Sequence, residues 1–309
     1  MRIAVMGSGA VGGYFGAKLA AAKHQVAFIA RGSHLAALRA NGLLVKSANG
    51  DLHIRDGHFT SDTQTVRQVD LILLCVKSYD TVTAAEIIKP MVSDQTLILS
   101  LQNGIDNPEK LARIYGERRI LPAVVYVGAH VSAPGVIAHS TGGRIIFGQM
   151  DNEIGDPAQR VAKLLTDTGI PCEVTAEIGK VQWTKLLWNA PFCAISCLTL
   201  ANVKQIVESE SLVKLALDCM AEVRAAAQTK DIDLDRQLCD DMLTFSRTLG
   251  AFKPSMLQDL EANKPLEYDA FNGVVVRLLE AAGRSAPINQ TFFAMLAFLD
   301  RKIRTTTVV

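Results

Sequence analysis

The chain begins with an apolar run, Ile3 to Met6, that breaks at Gly7-Ser8-Gly9-Ala10-Val11-Gly12 and resumes as an alanine-rich stretch from Tyr14 to Ala22. A buried strand, a glycine turn and a helix in that order leave few folds open. In a G-x-G-x-x-G turn between strand and helix, the first glycine permits the tight bend and the second lets backbone approach a pyrophosphate. The third lets the helix pack on the sheet. The backbone from Gly7 through Ser8, Gly9, Ala10, Val11 and Gly12 then presents the N–H groups of a helix N-terminus to phosphate. The spacing predicts a dinucleotide site.

The end of the second strand, Gln25 to Ala30, bears on which dinucleotide. Asp or Glu there would hold a ribose 2′-hydroxyl. This chain has Ala30-Arg31-Gly32-Ser33 instead. A guanidinium suits a 2′-phosphate, with paired, charge-assisted hydrogen bonds, whereas a carboxylate repels one. NADP(H) is therefore expected over NAD(H); the plainer reading makes Arg31 a solvated residue opening a helix.

Further strands and helices alternate up to about residue 175. Leu71–Val76 is an unbroken apolar run of the kind a central parallel strand needs, and Thr96–Ser100 is a second. Helices are expected over Arg31–Ala40, Thr81–Ile88 and Ala158–Asp167. Strands are expected at 121–130, 136–139 and 144–148, with Pro/Gly turns between them. Beyond residue 175 the apolar spacing becomes helical throughout. The expected fold is α/β: a Rossmann-like doubly wound parallel sheet over residues 1–175, then a mostly α-helical domain over 176–309.

Composition narrows the class. Of the 309 residues 49% are hydrophobic and 20% charged, and the formal net charge is +1. So even a balance gives no basis for a nucleic-acid or membrane-surface partner. Six cysteines without a CxxC pair read as reduced core residues of a cytoplasmic protein. No Cys/His grouping has metal-ligand spacing, so no metal is expected. The apolar run from Leu186 to Ala201 is interrupted by Asn189 and Pro191, and reads as core rather than as a membrane span.

Ligands of such sheets bind outside the carboxyl ends of the strands. Lys77 follows the Leu71–Val76 run and is a second cation for the adenosine phosphate; as a plainer reading it is a surface lysine. Asn103, in Leu101-Gln102-Asn103-Gly104, offers donor and acceptor to nicotinamide or to a substrate oxygen, or else is a turn residue before Gly104. In the helical half, Lys185 and Asn189 are four apart on one helix face, with Trp183 and Trp188 alongside. A lysine desolvated there has a lowered pKa, and a carboxylate such as Glu267 pulls it back up, leaving a group able to give a proton near neutral pH. Spacing alone equally permits Lys185 to snorkel to solvent.

Taken together, these motifs resemble the ketopantoate reductase (2-dehydropantoate 2-reductase) family over nearly the whole chain. The carriers are Gly7-x-Gly9-x-x-Gly12, Arg31, Val76-Lys77, Leu101-Gln-Asn103-Gly, Trp183-Thr-Lys185-x-x-x-Asn189, Ser255-Met-Leu-Gln-Asp259 and Glu267-Tyr-Asp with Asn272-Gly273. The resemblance implies reduction of 2-dehydropantoate to (R)-pantoate with NADPH, on the route to pantothenate and coenzyme A. It implies Lys185 as proton donor and Glu267 as the group that orients it. Asn103 and Asn189 would hold substrate oxygens and Ser255 the substrate carboxylate. Arg31 and Lys77 would hold the 2′-phosphate, Asn103 and Glu267 also bordering the cofactor, and a homodimer would form through the helical domain. Two positions depart from the family pattern. Cys193 stands where a second asparagine is common, and Asp80 where a glutamine is common after the Lys77 strand. They leave open a reductase of another small-molecule 2-oxo acid, while a nucleotide-sensing protein without catalysis is the reading from outside enzymology.

Overall fold

Period-two alternation in the first 178 residues buries both faces of one sheet. Its strands are β1 (Arg2–Met6), β2 (Gln25–Ile29), β3 (Leu43–Ser47), β4 (Leu52–Ile54), β5 (His58–Thr60), β6 (Leu71–Leu74), β7 (Leu97–Ser100), β8 (Ile120–Ala133), β9 (Val136–Phe147) and β10 (Cys172–Val174). Ile3, Val5, Leu71, Leu73, Leu97 and Leu99 point into a core completed by Phe15, Phe28, Ile137 and Phe147. Their neighbours Ala4, Met6, Ile72, Leu74 and Ile98 point into a second core with Ala85, Ile88, Met91 and Leu111. Strands covered on both sides need no polar face, which is why these runs are continuously apolar.

The computed structural model describes residues 1–306. It divides into two units, Met1–Asn103 with Asn107–Ile178, and Gly104–Asp106 with the chain from Gly179 onward. In the first unit the strand order is β4-β3-β9-β8-β7-β6-β1-β2-β5, with β10 on β9. The stretch β5-β2-β1-β6-β7-β8 is parallel at every pairing. Chain order reverses direction at β1, and the crevice outside the carboxyl ends there is where a doubly wound sheet takes its ligand. The helices are α1 (Ala10–Ala21), α2 (Gly32–Asn41), α3 (Thr81–Ile88), α4 (Asn107–Tyr115) and α5 (Asp156–Asp167).

Two antiparallel pairings, β3 with β4 and β8 with β9, depart from a purely parallel sheet. The stretch 136–139 and the one beginning at 144 belong to a single strand, β9, which ends at Phe147 rather than at 148. Gly142 and Gly143 between them, which read as a turn, adopt φ of 77° and 112° in a bulge of the β8–β9 ladder. A Cβ at Gly142 would meet Tyr126 O at 2.5 Å. Strand β5 and helix α4 were not anticipated: three residues are too few to show alternation, and α4 starts with Asn107-Pro108 just past a turn signal.

The second unit is helical: α6 (Ile178–Thr199), α7 (Val203–Val207), α8 (Glu210–Gln228), α9 (Gln237–Thr248), α10 (Ser255–Glu261), a π-helical turn (Asp269–Gly273), α11 (Val274–Ala281) and α12 (Pro287–Thr306). One core serves it, built around Phe192, Cys219, Met220, Leu257, Phe271 and Leu296. No disulfide joins any of the six cysteines. No helix among the described residues is long and apolar enough to cross a membrane.

Candidate active site

The glycine turn follows directly from β1. Gly7 takes φ 95°, a conformation side chains disfavour, and its N–H donates to Ile29 O at 3.2 Å. Ser8 is buried, its N–H and Oγ both donating to Ile29 O at 3.0 and 3.1 Å, so the turn is fixed to the end of β2. Gly12 is packed tight, and a Cβ there would lie 2.2 Å from Gly7 O. Gly9, the N-cap of α1, is open: a Cβ there would meet nothing within 4 Å. The turn is closed toward the sheet and open outward, next to the first-turn N–H groups of Ala10, Val11 and Gly12 that no helix satisfies internally. That cradle fits a pyrophosphate. His34 braces it, with Nε2 2.8 Å from Ser8 O and Nδ1 accepting from Gly135 N–H at 3.1 Å. Those partners place the ring proton on Nε2.

Three more strand ends contribute side chains. Arg31 ends β2 as the N-cap of α2, and its Nη2 lies 3.2 Å from Asp80 Oδ2. Lys77, half-buried, precedes the 3₁₀ turn Ser78–Asp80 that follows β6. Asn103, half-buried, follows β7, and the positive φ, 92°, falls on Gly104 instead.

A buried polar network that sequence reasoning missed holds the last two loops together. Gln102 Nε2 donates to Val76 O at 3.1 Å and to Thr81 Oγ1 at 2.7 Å, and its Oε1 accepts from Ser100 Oγ at 3.0 Å. Thr81 Oγ1 lies 2.8 Å from Asn107 Oδ1, and Asn107 Nδ2 donates to Asn103 O at 2.7 Å. The Lys77 and Asn103 loops are therefore joined twice, directly by Gln102 and through the Thr81 hydroxyl. The available signal was the four-residue spacing of Asn103 and Asn107, though α4 itself went unseen. Thr81→Val leaves Gln102 Nε2 and Asn107 Oδ1 short of a partner, which costs about 1–3 kcal/mol. A thermal melt should show a midpoint lower by several degrees, and an unchanged midpoint would mean the network holds nothing.

In the helical unit, α6 carries Lys185 and, one turn on, Asn189. Asn189 is buried, as are Trp183, Leu186 and Leu187. Trp188 stacks on Phe192 with ring centroids 4.9 Å apart and donates Nε1–H to Ser246 Oγ at 2.9 Å, which fixes this face of the helix. Lys185 is half-buried and does not escape to bulk water. Burial lowers its pKa to about 8, and Glu267 followed by Cys193 oppose that fall. Glu267 is only 3% exposed and Cys193 fully buried.

The segment bearing Glu267 is held on both sides. Leu266 N–H donates to Asp300 Oδ1 at 2.8 Å. Asn272, on the π turn, donates Nδ2–H to Ala190 O of α6 at 3.2 Å and to Asn289 Oδ1 at 2.9 Å. One amide thus ties the element after Glu267 to the helix that carries Lys185. Asp300, 33 residues beyond Glu267, left no local signal. Ser255 is the exposed first residue of α10, and Asp259, one turn later, is buried.

A doubly wound sheet with a glycine turn at its reversal point is the architecture of nicotinamide-dinucleotide oxidoreductases, and comparison with known proteins puts the chain in that class. Residues 3–152 match the family model "Ketopantoate reductase PanE/ApbA" and residues 177–300 its C-terminal counterpart. The chain belongs to the ketopantoate reductase family. A 2-dehydropantoate 2-reductase of Mesorhizobium japonicum is 30% identical, the match covering 97% of each chain. The crystal structure of a PanE/ApbA family ketopantoate reductase from Ralstonia eutropha JMP134 superposes with a TM-score of 0.92 at 31% identity, covering 98% of this chain and 100% of the other. A D-mandelate dehydrogenase solved with NADH and anilino(oxo)acetate shares the fold at a TM-score of 0.90. It is 20% identical and covers 98% and 100% of the two chains.

Proposed function

We propose that this chain reduces 2-dehydropantoate to (R)-pantoate with NADPH, on the route to pantothenate and coenzyme A, and that Lys185 gives the proton. The observation that carries this reading is the half-buried Lys185 beside a buried Glu267, with a pKa of about 8. Near neutral pH such an amine is mostly protonated, yet it gives up its proton far more readily than a solvated lysine.

The glycine turn and α1 would hold the pyrophosphate, with Arg31 and Lys77 at the 2′-phosphate and Asn103 near the nicotinamide. What a bound NADPH supplies is the hydride. Lys185 Nζ delivers its proton to the keto oxygen, leaving a neutral amine, and Glu267 orients that nitrogen and offsets the cost of its charge. Asn189 and Asn103 donate to substrate oxygens, and Ser255 Oγ donates to the substrate carboxylate. The reading includes a cytoplasmic homodimer.

One observation favours a second substrate. Cys193, where the family commonly has asparagine, is buried and close enough to influence Lys185. A thiol is a poor replacement for an amide that hydrogen-bonds a hydroxyl, so a 2-oxo acid without that hydroxyl would fit as well. Oxidation of NADPH with 2-dehydropantoate, measured against a panel of branched and aromatic 2-oxo acids, decides between them. A kcat/KM for 2-dehydropantoate near the bottom of the panel would overturn the first reading.

The cofactor half has its own test. Arg31→Ala should raise KM for NADPH by about 10- to 100-fold, the loss expected of a charge-assisted phosphate contact, and leave KM for NADH nearly unchanged. Equal losses with both dinucleotides would mean that Arg31 does not meet the 2′-phosphate.

A further inference from the structure

The strand-end carboxylate that β2 lacks is supplied from the other side of the glycine turn. β2 and β6 flank β1, and the loops leaving them bring Arg31 and Asp80 together over its carboxyl end, with Arg31 Nη2 3.2 Å from Asp80 Oδ2. Asp80 stands at the N-cap of α3, where an aspartate ordinarily accepts from its own helix. It makes no such side-chain bond. Its carboxylate reaches a guanidinium 49 positions away in sequence instead. Asp80 N–H donates to Lys77 O at 2.9 Å, so the acid and the second cation sit on one turn.

We propose that Asp80 is a specificity-determining residue for the dinucleotide, and that through it the chain accepts NADH as well as NADPH. The proposal rests on the reading of Arg31 as the residue that meets the ribose 2′ position. Any anion that Arg31 binds must approach the Asp80 carboxylate, because the two side chains already touch. A 2′-phosphate, carrying well over one negative charge, meets repulsion from Asp80 as it gains Arg31. A 2′-hydroxyl meets none, since it can donate to the carboxylate while Arg31 stays paired. The pair thus serves both forms of the cofactor: the cation suits one, the acid suits the other, and each blunts the other's preference. A glutamine at this position, common in the family, would leave Arg31 unopposed.

Titration of the intact protein with NADPH and with NADH, followed by dinucleotide fluorescence, tests this without any substrate. The wild-type protein should bind both, and Asp80→Asn should shift the ratio of dissociation constants toward NADPH by about five- to tenfold, the scale of one like-charge contact in water. Arg31→Ala should shift it the opposite way. A ratio in Asp80→Asn within twofold of wild type, with both dinucleotides bound, would overturn the role of Asp80 and leave the cofactor reading standing. A wild-type protein that binds neither dinucleotide would overturn both.

Discussion

Lys185→Ala should lower kcat for 2-oxo acid reduction by about 10²- to 10⁴-fold, while dinucleotide affinity stays within about twofold. The size follows from what the amine does. Hydride transfer to a keto carbon builds negative charge on oxygen, and no proton source in bulk water matches a positioned ammonium with a pKa near the working pH. Lys185 meets that requirement through burial, which brings it to about 8. Steady-state kinetics, with dinucleotide fluorescence as the binding control, separates the two effects. A kcat within twofold of wild type would remove the acid role.

The second large effect concerns Glu267 and has a definite sign. The proton-donating form of Lys185 is the ammonium, so kcat/KM for reduction should be level below about pH 8 and fall about tenfold per pH unit above it. Glu267→Gln removes the negative charge that favours the ammonium and leaves desolvation unopposed, so the descending limb should move to lower pH. At pH 8 the variant should be slower by about 10²-fold, part from titration and part from lost orientation. A pH–rate profile of kcat/KM reads the two separately, because orientation lowers the plateau whereas charge moves the limb. A limb in the same place would show that the carboxylate does not act on Lys185 through its charge.

Much of this was legible before any coordinates, for a physical reason. The glycine turn, the apolar central strands and the tryptophan-flanked Lys185 are each specified within a few neighbouring residues, so local patterning exposes them. What stayed hidden depends on pairing at a distance. Gln102 reads as one more strand-end polar residue until Thr81 and Asn107 are placed against it. Asp300 supports Leu266 across 34 positions. Spacing left Lys185 balanced between burial and solvent, and only the packing of α6 against its neighbours decides for burial. Gly142-Gly143 misled because one residue pair serves equally for a turn and for a bulge.

The π turn from Asp269 to Gly273 has a bearing on how this chain can vary. Such a turn amounts to one surplus residue accommodated inside otherwise regular helix. Excising Asn272 would restore ordinary winding and remove the amide that bonds Ala190 O and Asn289 Oδ1. Glu267, just ahead of the turn, would then lose that tie to α6 although Lys185 and Glu267 themselves remained in the text. In this stretch a lineage can lose neither the extra residue nor the amide it carries without loosening the segment that bears Glu267.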